Sequence, residues 1–314
     1  MDEQSEQPRK ISRRKFLRVA AGGIISPFQE PQVDPAVKEH VRKYLDGKDT
    51  GFRAASAAKL SPYLTRESLA GKLAIEVPQN FNFIPEIKNI LMQYYDDCVP
   101  ASIAHLSAWL FGNGSLIFSP RFLYWFRNRN NGATYPTIFD AWTGHGNATT
   151  EVVPYGPGLD IDTKPTNEQL AKAAAYKINQ NDIISVHSGY QIFPNIDELA
   201  EIMYQNGPIL AAVKAYSPEW DIWKEDKIIG KPGNEGNVFK HAVLLVGVNK
   251  DEGYINFANS WGENWGMGGF GKISIPDCYD GGTFTEMWAV DSQAIRSRLP
   301  PIQRRQFAPL ITRG

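Results

Sequence analysis

Residues 241–248 read H-A-V-L-L-V-G-V, and residues 253–270 read G-Y-I-N-F-A-N-S-W-G-E-N-W-G-M-G-G-F. The first run is apolar and rich in branched side chains, which predicts a buried strand. The second run opens with an alternating pattern over residues 254–258 and follows the first after a short polar turn. Together the two stretches predict a β-hairpin that brings His241 close to Asn259.

This predicted hairpin combines an imidazole, a carboxamide and an indole. An asparagine side chain can accept a hydrogen bond from one imidazole nitrogen and fix the tautomer, which leaves the other nitrogen to take or give a proton. Trp261 follows Asn259 by two residues and would shield that bond from water. A lone strand histidine is usually a core residue, but the N-S-W-G run in register favours a catalytic role for His241.

The pattern H-A-V-L-L-V-G-V followed by N-S-W-G-x-x-W-G-x-x-G-F resembles the histidine and asparagine segments of papain-like cysteine peptidases. The resemblance runs from about Phe83 to Val290. It implies a papain-like α+β fold with two lobes, one mainly helical and one an antiparallel β-barrel-like sheet. It also implies a thiol peptidase with peptide or protein substrates and with no need for a metal or an organic cofactor.

A helix is predicted to begin at Cys98, because Ile103, Leu106 and Leu110 follow helical spacing and the glycines of residues 112–114 would end it. The dipole at a helix amino terminus stabilises a thiolate, the form of cysteine that acts as a nucleophile. The alternative for Cys98 is a buried structural thiol.

The order and spacing of the candidate residues support Cys98 as the nucleophile. His241 lies 143 residues after Cys98, and Asn259 lies 161 residues after it. The papain-type histidine follows its cysteine by roughly 130–150 residues. The resemblance therefore implies the set Cys98, His241 and Asn259.

The segment before Cys98 departs from the family pattern. The resemblance places an oxyanion-binding glutamine six residues before the nucleophile, whereas Gln93 lies five before it and Met92 holds the sixth place. A one-residue deletion would make Gln93 the side-chain donor, with the Cys98 amide as the second donor. The alternative is an ordinary loop glutamine.

Asp96 and Asp97 directly precede Cys98. Two carboxylates oppose the ionisation of a neighbouring thiol if they face the sulfur. If they face solvent, screening makes their effect minor.

Several further segments fit the same resemblance. Residues 131–136 resemble the loop that lines the substrate cleft, where Gly132 would pair its backbone with an extended peptide, although a plain turn is the alternative. The helical pattern of residues 196–206, followed by N-G-P and an apolar run at 209–213, marks the entry to the β-rich lobe. Residues 217–240 form a polar loop that is expected to be solvated.

Composition excludes some other classes of protein. The chain has 314 residues, a net charge of −1 and two cysteines, so it offers neither a basic surface for nucleic acid nor a disulfide framework. No apolar run approaches the length of a membrane span. The histidines show no metal-ligand spacing, and His105 on the Cys98 helix is expected to be structural.

The amino-terminal residues resemble a targeting signal. Residues 12–17 read S-R-R-K-F-L ahead of a mild apolar run, which predicts twin-arginine export to the bacterial periplasm or exterior. The alternatives are a retained amino-terminal anchor and a disordered basic tail. The resulting division is a signal region at 1–30, an extension or inhibitory pro-segment at 31–76, a catalytic domain at 77–292 with lobes at 77–205 and 206–292, and a basic tail at 293–314.

Two other functions stay open on the sequence. A papain-fold protein that binds peptides without cleaving them is suggested by the spacing of Gln93 and by the Asp96-Asp97 pair. An acyl or amide transferase would use the same triad, because an amine can resolve a thioester in place of water.

Overall fold

The computed structural model describes residues 38–39, 63–65, 76–112, 114–127, 133–187, 193–216, 219–230 and 238–300. The twin-arginine motif, Gly132 and residues 301–314 lie outside the described residues, so the predictions made for them stay predictions. Within the described part of the chain, no helix is both long and apolar enough to cross a membrane.

The helical part of the fold is organised around one buried helix. This helix, α1, begins at the predicted residue and is buried along its whole length. The helices are α1 (Cys98–Gly112), α2 (Pro120–Tyr124), α3 (Tyr135–His145), α4 (Asn167–Ala173), α5 (Ile196–Asn206) and α6 (Ser292–Arg298).

In the ranges given above, nine strands form one mixed sheet. They are β1 (Leu64–Thr65), β2 (Asn80–Asn82), β3 (Ile183–Ser185), β4 (Ile209–Tyr216), β5 (Ile228–Ile229), β6 (Val238–Asn249), β7 (Tyr254–Ala258), β8 (Phe270–Ser274) and β9 (Phe284–Val290). Their order is β1-β3-β9-β4-β6-β7-β8-β5, with β2 paired to β6. All pairs are antiparallel except β1 with β3 and β5 with β8. This order ends at β1 and β5, so the predicted barrel-like lobe is an open sheet rather than a closed barrel.

The predicted hairpin is formed by β6 and β7. Leu244 pairs with Ala258 and Asn249 pairs with Tyr254, with a bulge between Leu245 and Gly247. The amino-terminal part of β6, which carries His241, extends beyond the last residue of β7, Ala258. The residues that follow Ala258 therefore run beside His241. Helix α1 packs against β6 from the other lobe.

The single glycine of the first motif has a packing role. A Cβ on Gly247 would lie 2.4 Å from Asn82 Cβ and 2.5 Å from the Phe81 carbonyl oxygen. Strand β2 pairs with β6 at this point, with Asn82 opposite Gly247. Because Gly247 has no side chain, β2, the strand that leads toward Cys98, can pair closely with β6, the strand that carries His241.

The end of the catalytic domain differs from the predicted boundary. Helix α6 extends to Arg298, and Ile295 is buried in the core. The Arg296 guanidinium lies 4.0 Å from the centre of the Trp109 ring, and Arg298 pairs with Asp182. The first residues of the predicted basic tail, which starts at residue 293, thus form a helix whose arginines contact the rest of the fold.

The extension before residue 77 also contacts the fold. Tyr63 is buried, its hydroxyl donates to the Pro136 carbonyl oxygen at 3.4 Å, and its ring meets Phe139 and Trp288 edge to face. This segment therefore contributes one aromatic side chain to the core of the catalytic lobes.

Candidate active site

The hydrogen bond between His241 and Asn259 is the centre of the candidate site. His241 Nε2 lies 2.8 Å from Asn259 Oδ1, and both residues are fully buried. Asn259 Oδ1 also accepts from the Ser260 backbone N–H at 2.8 Å, which identifies that atom as the oxygen. His241 Nε2 must then be the donor, so the neutral imidazole keeps its basic lone pair on Nδ1.

Burial sets the charge of this histidine. Removal from water lowers the pKa of His241 to about 4, and the bond to Asn259 offsets only part of that effect. The Nδ1 atom has no hydrogen-bond partner among the described residues. Without a nearby negative charge, the His241 imidazole is therefore neutral at neutral pH. A thiolate buried beside it would favour the protonated, positively charged form.

Aromatic rings enclose the imidazole. Trp261 lies with its ring centre 4.8 Å from that of His241, Trp220 meets it edge to face at 5.9 Å, and Phe239 lies at 6.4 Å. Trp261 therefore packs against the imidazole, and its role as a shield of the His241–Asn259 bond stays a prediction. Trp261 is fully buried, and its role in binding substrate stays a prediction.

Trp220 was missed by the sequence analysis, which treated residues 217–240 as a solvated loop. Its indole is fully buried, and its carbonyl oxygen accepts from Trp265 Nε1 at 2.8 Å. A tryptophan within a polar stretch was the available signal, because so large an apolar side chain is seldom left in water.

Cys98 occupies the first position of α1, at the helix end where a thiolate is stabilised. Its side chain is fully buried. Because α1 packs on β6, the helix that carries Cys98 lies on the strand that carries His241. The pairing of the sulfur with His241 Nδ1 stays a prediction that this packing favours.

Gln93 is buried and tied to the residue after Asn259. Its Oε1 accepts from Ser260 Oγ at 2.9 Å, and its backbone N–H donates to the Ser260 carbonyl oxygen at 2.7 Å. Its Nε2 donates to the Tyr95 carbonyl oxygen at 2.7 Å, which uses one of the two amide hydrogens. These bonds set Gln93 apart from an ordinary exposed loop glutamine, and its role toward an oxyanion stays a prediction.

We expect the change Ser260→Ala to lower kcat up to about tenfold with little effect on KM, because it removes one hydrogen bond, worth about 1 kcal/mol, that orients the Gln93 amide. Steady-state kinetics would measure this. In a Gln93→Ala background the same change should have almost no further effect. Equal effects in both backgrounds would show that the Ser260 hydroxyl does not act through Gln93.

The two acids before Cys98 lie in different environments. Asp97 is fully buried and Asp96 is exposed. The two carboxylates therefore neither both face the protein interior nor both face solvent. Burial raises the pKa of Asp97 to about 7. The Asp97 carbonyl oxygen accepts from the Ala101 N–H at 2.9 Å, which places this residue directly before the first turn of α1.

His105 and Cys278 are both held by hydrogen bonds within the fold. His105 Nε2 accepts from the Leu91 N–H at 3.0 Å, and burial lowers the pKa of His105 to about 4. Cys278 is buried, its sulfur donates to the Ile229 carbonyl oxygen, and burial raises the pKa of Cys278 to about 11. In the ranges that the structure describes, no cluster of three or more His, Cys, Asp or Glu side chains could hold a metal ion.

A family model described as papain family cysteine protease matches residues 126–280. That segment contains His241 and Asn259 and begins after Cys98 and Gln93. The family model therefore covers the histidine and asparagine strands, while the assignment of the nucleophile rests on the sequence pattern and the position of α1.

Curated relatives match parts of the chain. It is 30% identical over 146 residues to the KDEL-tailed cysteine endopeptidase CEP2 of Arabidopsis thaliana, which is 46% of this chain and 36% of the relative. It is 41% identical over 75 residues to the viral cathepsin of Spodoptera litura multicapsid nucleopolyhedrovirus, which is 23% of this chain and 21% of the relative. The chain thus spans about a third or less of the length of these two relatives.

Solved structures share the fold over a larger part of the chain. Xylellain, a cysteine protease from Xylella fastidiosa, superposes with a TM-score of 0.59 at 18% identity and covers 70% of this chain and 88% of its own. Digestive procathepsin L2 from the larval midgut of Tenebrio molitor gives a TM-score of 0.59 at 19% identity and covers 79% of each chain. At these identities the likeness shows the α+β two-lobe architecture.

Proposed function

We propose that this chain is a cysteine peptidase of the papain family that hydrolyses peptide bonds through a thioester on Cys98, in line with the papain family model that matches residues 126–280 and with the cysteine proteases among its relatives. The observation that carries the proposal is the buried His241–Asn259 hydrogen bond. It fixes the imidazole tautomer with Nδ1 as the base, which is the arrangement that a Cys–His nucleophilic pair requires.

The first half of the proposed reaction forms the thioester. Cys98 gives its proton to His241 Nδ1, and the thiolate attacks the carbonyl carbon of the substrate. The carbonyl oxygen becomes an oxyanion, for which Gln93 Nε2 and the Cys98 backbone N–H are the proposed donors. When the oxyanion collapses, the C–N bond breaks and the amine leaves with the proton held by His241.

The second half releases the acid. A water molecule gives a proton to His241 Nδ1 and attacks the thioester carbon, and the C–S bond breaks to return the Cys98 thiolate. The indoles of Trp261 and Trp220 keep bulk water from the His241–Asn259 bond during both halves. This strengthens the bond, because electrostatic interactions weaken in water.

The test uses the full-length protein beside its Cys98→Ala variant on a peptide library, with an epoxide probe of thiol nucleophiles. We expect cleavage that disappears in the variant, and a probe adduct mapped to Cys98. Cleavage that persists in Cys98→Ala would assign the activity to another group. Absence of both cleavage and adduct would replace the peptidase by a binding protein of the same fold.

We also propose export through the twin-arginine pathway, on the sequence S-R-R-K-F-L at residues 12–17. Replacement of both arginines by lysine should retain the protein in the cytoplasm of a bacterial host. Cell fractionation of a bacterium that expresses each form tests this, and export of the twin-lysine form would exclude it.

A further inference from the structure

Asp97 is a buried carboxyl beside the proposed nucleophile that the mechanism does not use. It is fully buried, and neither carboxyl oxygen has a hydrogen-bond partner of normal geometry among the described residues. A buried ionised carboxylate without such partners is costly. The geometry therefore favours the protonated acid at this position.

The groups around Asp97 act in opposite directions. Burial raises the pKa of Asp97 to about 7, and the negative charge of its neighbour Asp96 adds a minor effect in the same direction. The Tyr155 hydroxyl and the backbone amides of Asp97 and Tyr95 favour the ionised form to a smaller extent. The Asp97 carboxyl thus sits near the point where modest changes of pH switch its charge.

Two further groups complete this environment. The Tyr124 phenol senses the charges of both aspartates and of Cys98, and the Arg127 guanidinium stacks on the Tyr124 ring at 3.9 Å. Arg127 is itself paired with Asp162 at 2.8 Å. The charge of Arg127 is therefore partly offset by a carboxylate outside this cluster.

Asp97 directly precedes Cys98, and both side chains are fully buried, so an ionised Asp97 would add a second negative charge to the buried surroundings of the Cys98 thiolate. Like charges in a site of low dielectric oppose each other's formation, so the two groups titrate as a coupled pair. The ion pair of Cys98 and His241 then forms with least opposition while Asp97 holds its proton.

We propose that Asp97 is a positioning residue that must be protonated for the Cys98–His241 ion pair to form, so that the enzyme works in acid and loses activity as Asp97 ionises. This inference rests on the proposed peptidase function. It acts through the thiol, because Asp97 itself need not touch the substrate.

The test compares the full-length protein with Asp97→Asn. Asp96→Asn serves as the comparison variant at the exposed neighbour: removal of its charge slightly favours the ionised form of Asp97, so it should not move the alkaline fall of kcat/KM upward. Two quantities are measured from about pH 4.5 to about pH 9: kcat/KM, and the rate of Cys98 alkylation by iodoacetamide, mapped by mass spectrometry. We expect the alkaline fall of kcat/KM to begin near pH 7 in the wild type and to move up by at least about one pH unit in Asp97→Asn. Alkylation of Cys98 at about pH 8.5 should be about tenfold faster in Asp97→Asn than in the wild type.

The outcomes separate the two proposals. Cys98-dependent cleavage with superimposable pH profiles for wild type and Asp97→Asn would overturn the role of Asp97 and leave the peptidase intact. An Asp97-dependent alkylation profile without any cleavage would support the coupling and refute the peptidase. If Asp97→Asn does not fold, Tyr155→Phe tests the same coupling, because loss of the hydroxyl that favours the ionised form should shift the alkaline fall upward. An unshifted profile in Tyr155→Phe would then overturn the proposal.

Discussion

Replacement of His241 by alanine should lower kcat for peptide hydrolysis by about 10⁴-fold or more. The imidazole is the proposed base for Cys98 and the proposed acid for the leaving amine, and its Nε2 is already committed to Asn259. His241 is itself fully buried. Steady-state or single-turnover kinetics on a cleaved library peptide would measure the loss.

Two related variants sharpen this prediction. The double variant Cys98→Ala/His241→Ala should be no slower than either single variant, because residues that act as one unit are not additive. Asn259→Ala should cost less, roughly 10–100-fold, since it removes one hydrogen bond to a group that becomes charged. If His241→Ala retained activity within about tenfold of the wild type, the proposed pair would be wrong.

The second large effect concerns stability. Asp97→Asn should raise the free energy of unfolding more at about pH 8 than at about pH 5. The pKa of Asp97 is about 7 in the folded protein, against an ordinary aspartate pKa of 3.8. Between these values the unfolded chain has lost the proton that the folded chain keeps, so the folded state of the wild type becomes less stable as pH rises, and the loss is complete above the folded pKa. The shift sets an upper limit of roughly 4 kcal/mol.

Urea unfolding at several pH values would measure this difference between the two proteins. Burial also lowers the pKa values of His241 and His105, so the fold loses stability as pH falls below the unfolded histidine pKa. The wild type and Asp97→Asn share that loss, so the difference between their free energies of unfolding reports on Asp97 alone. The exposed change Asp96→Asn should show no comparable dependence on pH. Parallel curves for wild type and Asp97→Asn would show that Asp97 is already ionised in the folded protein over this range.

Local patterns predicted the parts of the site that depend on residues close in sequence. The hairpin of β6 and β7, the start of α1 and the amphipathic α5 follow from periodicity and capping signals. The His241–Asn259 bond follows from the hairpin, because a short turn leaves few ways to pair the two strands. The α+β two-lobe fold, which followed from the family resemblance, is confirmed by the structural comparisons.

Non-local packing accounts for what the sequence did not predict. The burial of Asp97 depends on segments around Tyr124 and Tyr155, and aspartate alone gives no sign of it. Trp220 is anchored by residues that follow it by more than forty positions. The two strands at the ends of the sheet order, β1 and β5, have two residues each and pair with segments distant in sequence, which local patterns cannot predict.

The bonds between residues 91–93 and 260–262 join the two lobes at the point where chemistry is proposed. Gln93 N–H donates to Ser260, Gly262 N–H donates to Leu91, and Met92 bridges to Trp261. Gln93, the proposed oxyanion donor, takes part in these bonds, and Asn259, which orients the imidazole, directly precedes them in the chain. These bonds hold Gln93 and Asn259 at a fixed separation. A small movement of one lobe relative to the other would therefore leave the proposed oxyanion donor aligned with the imidazole.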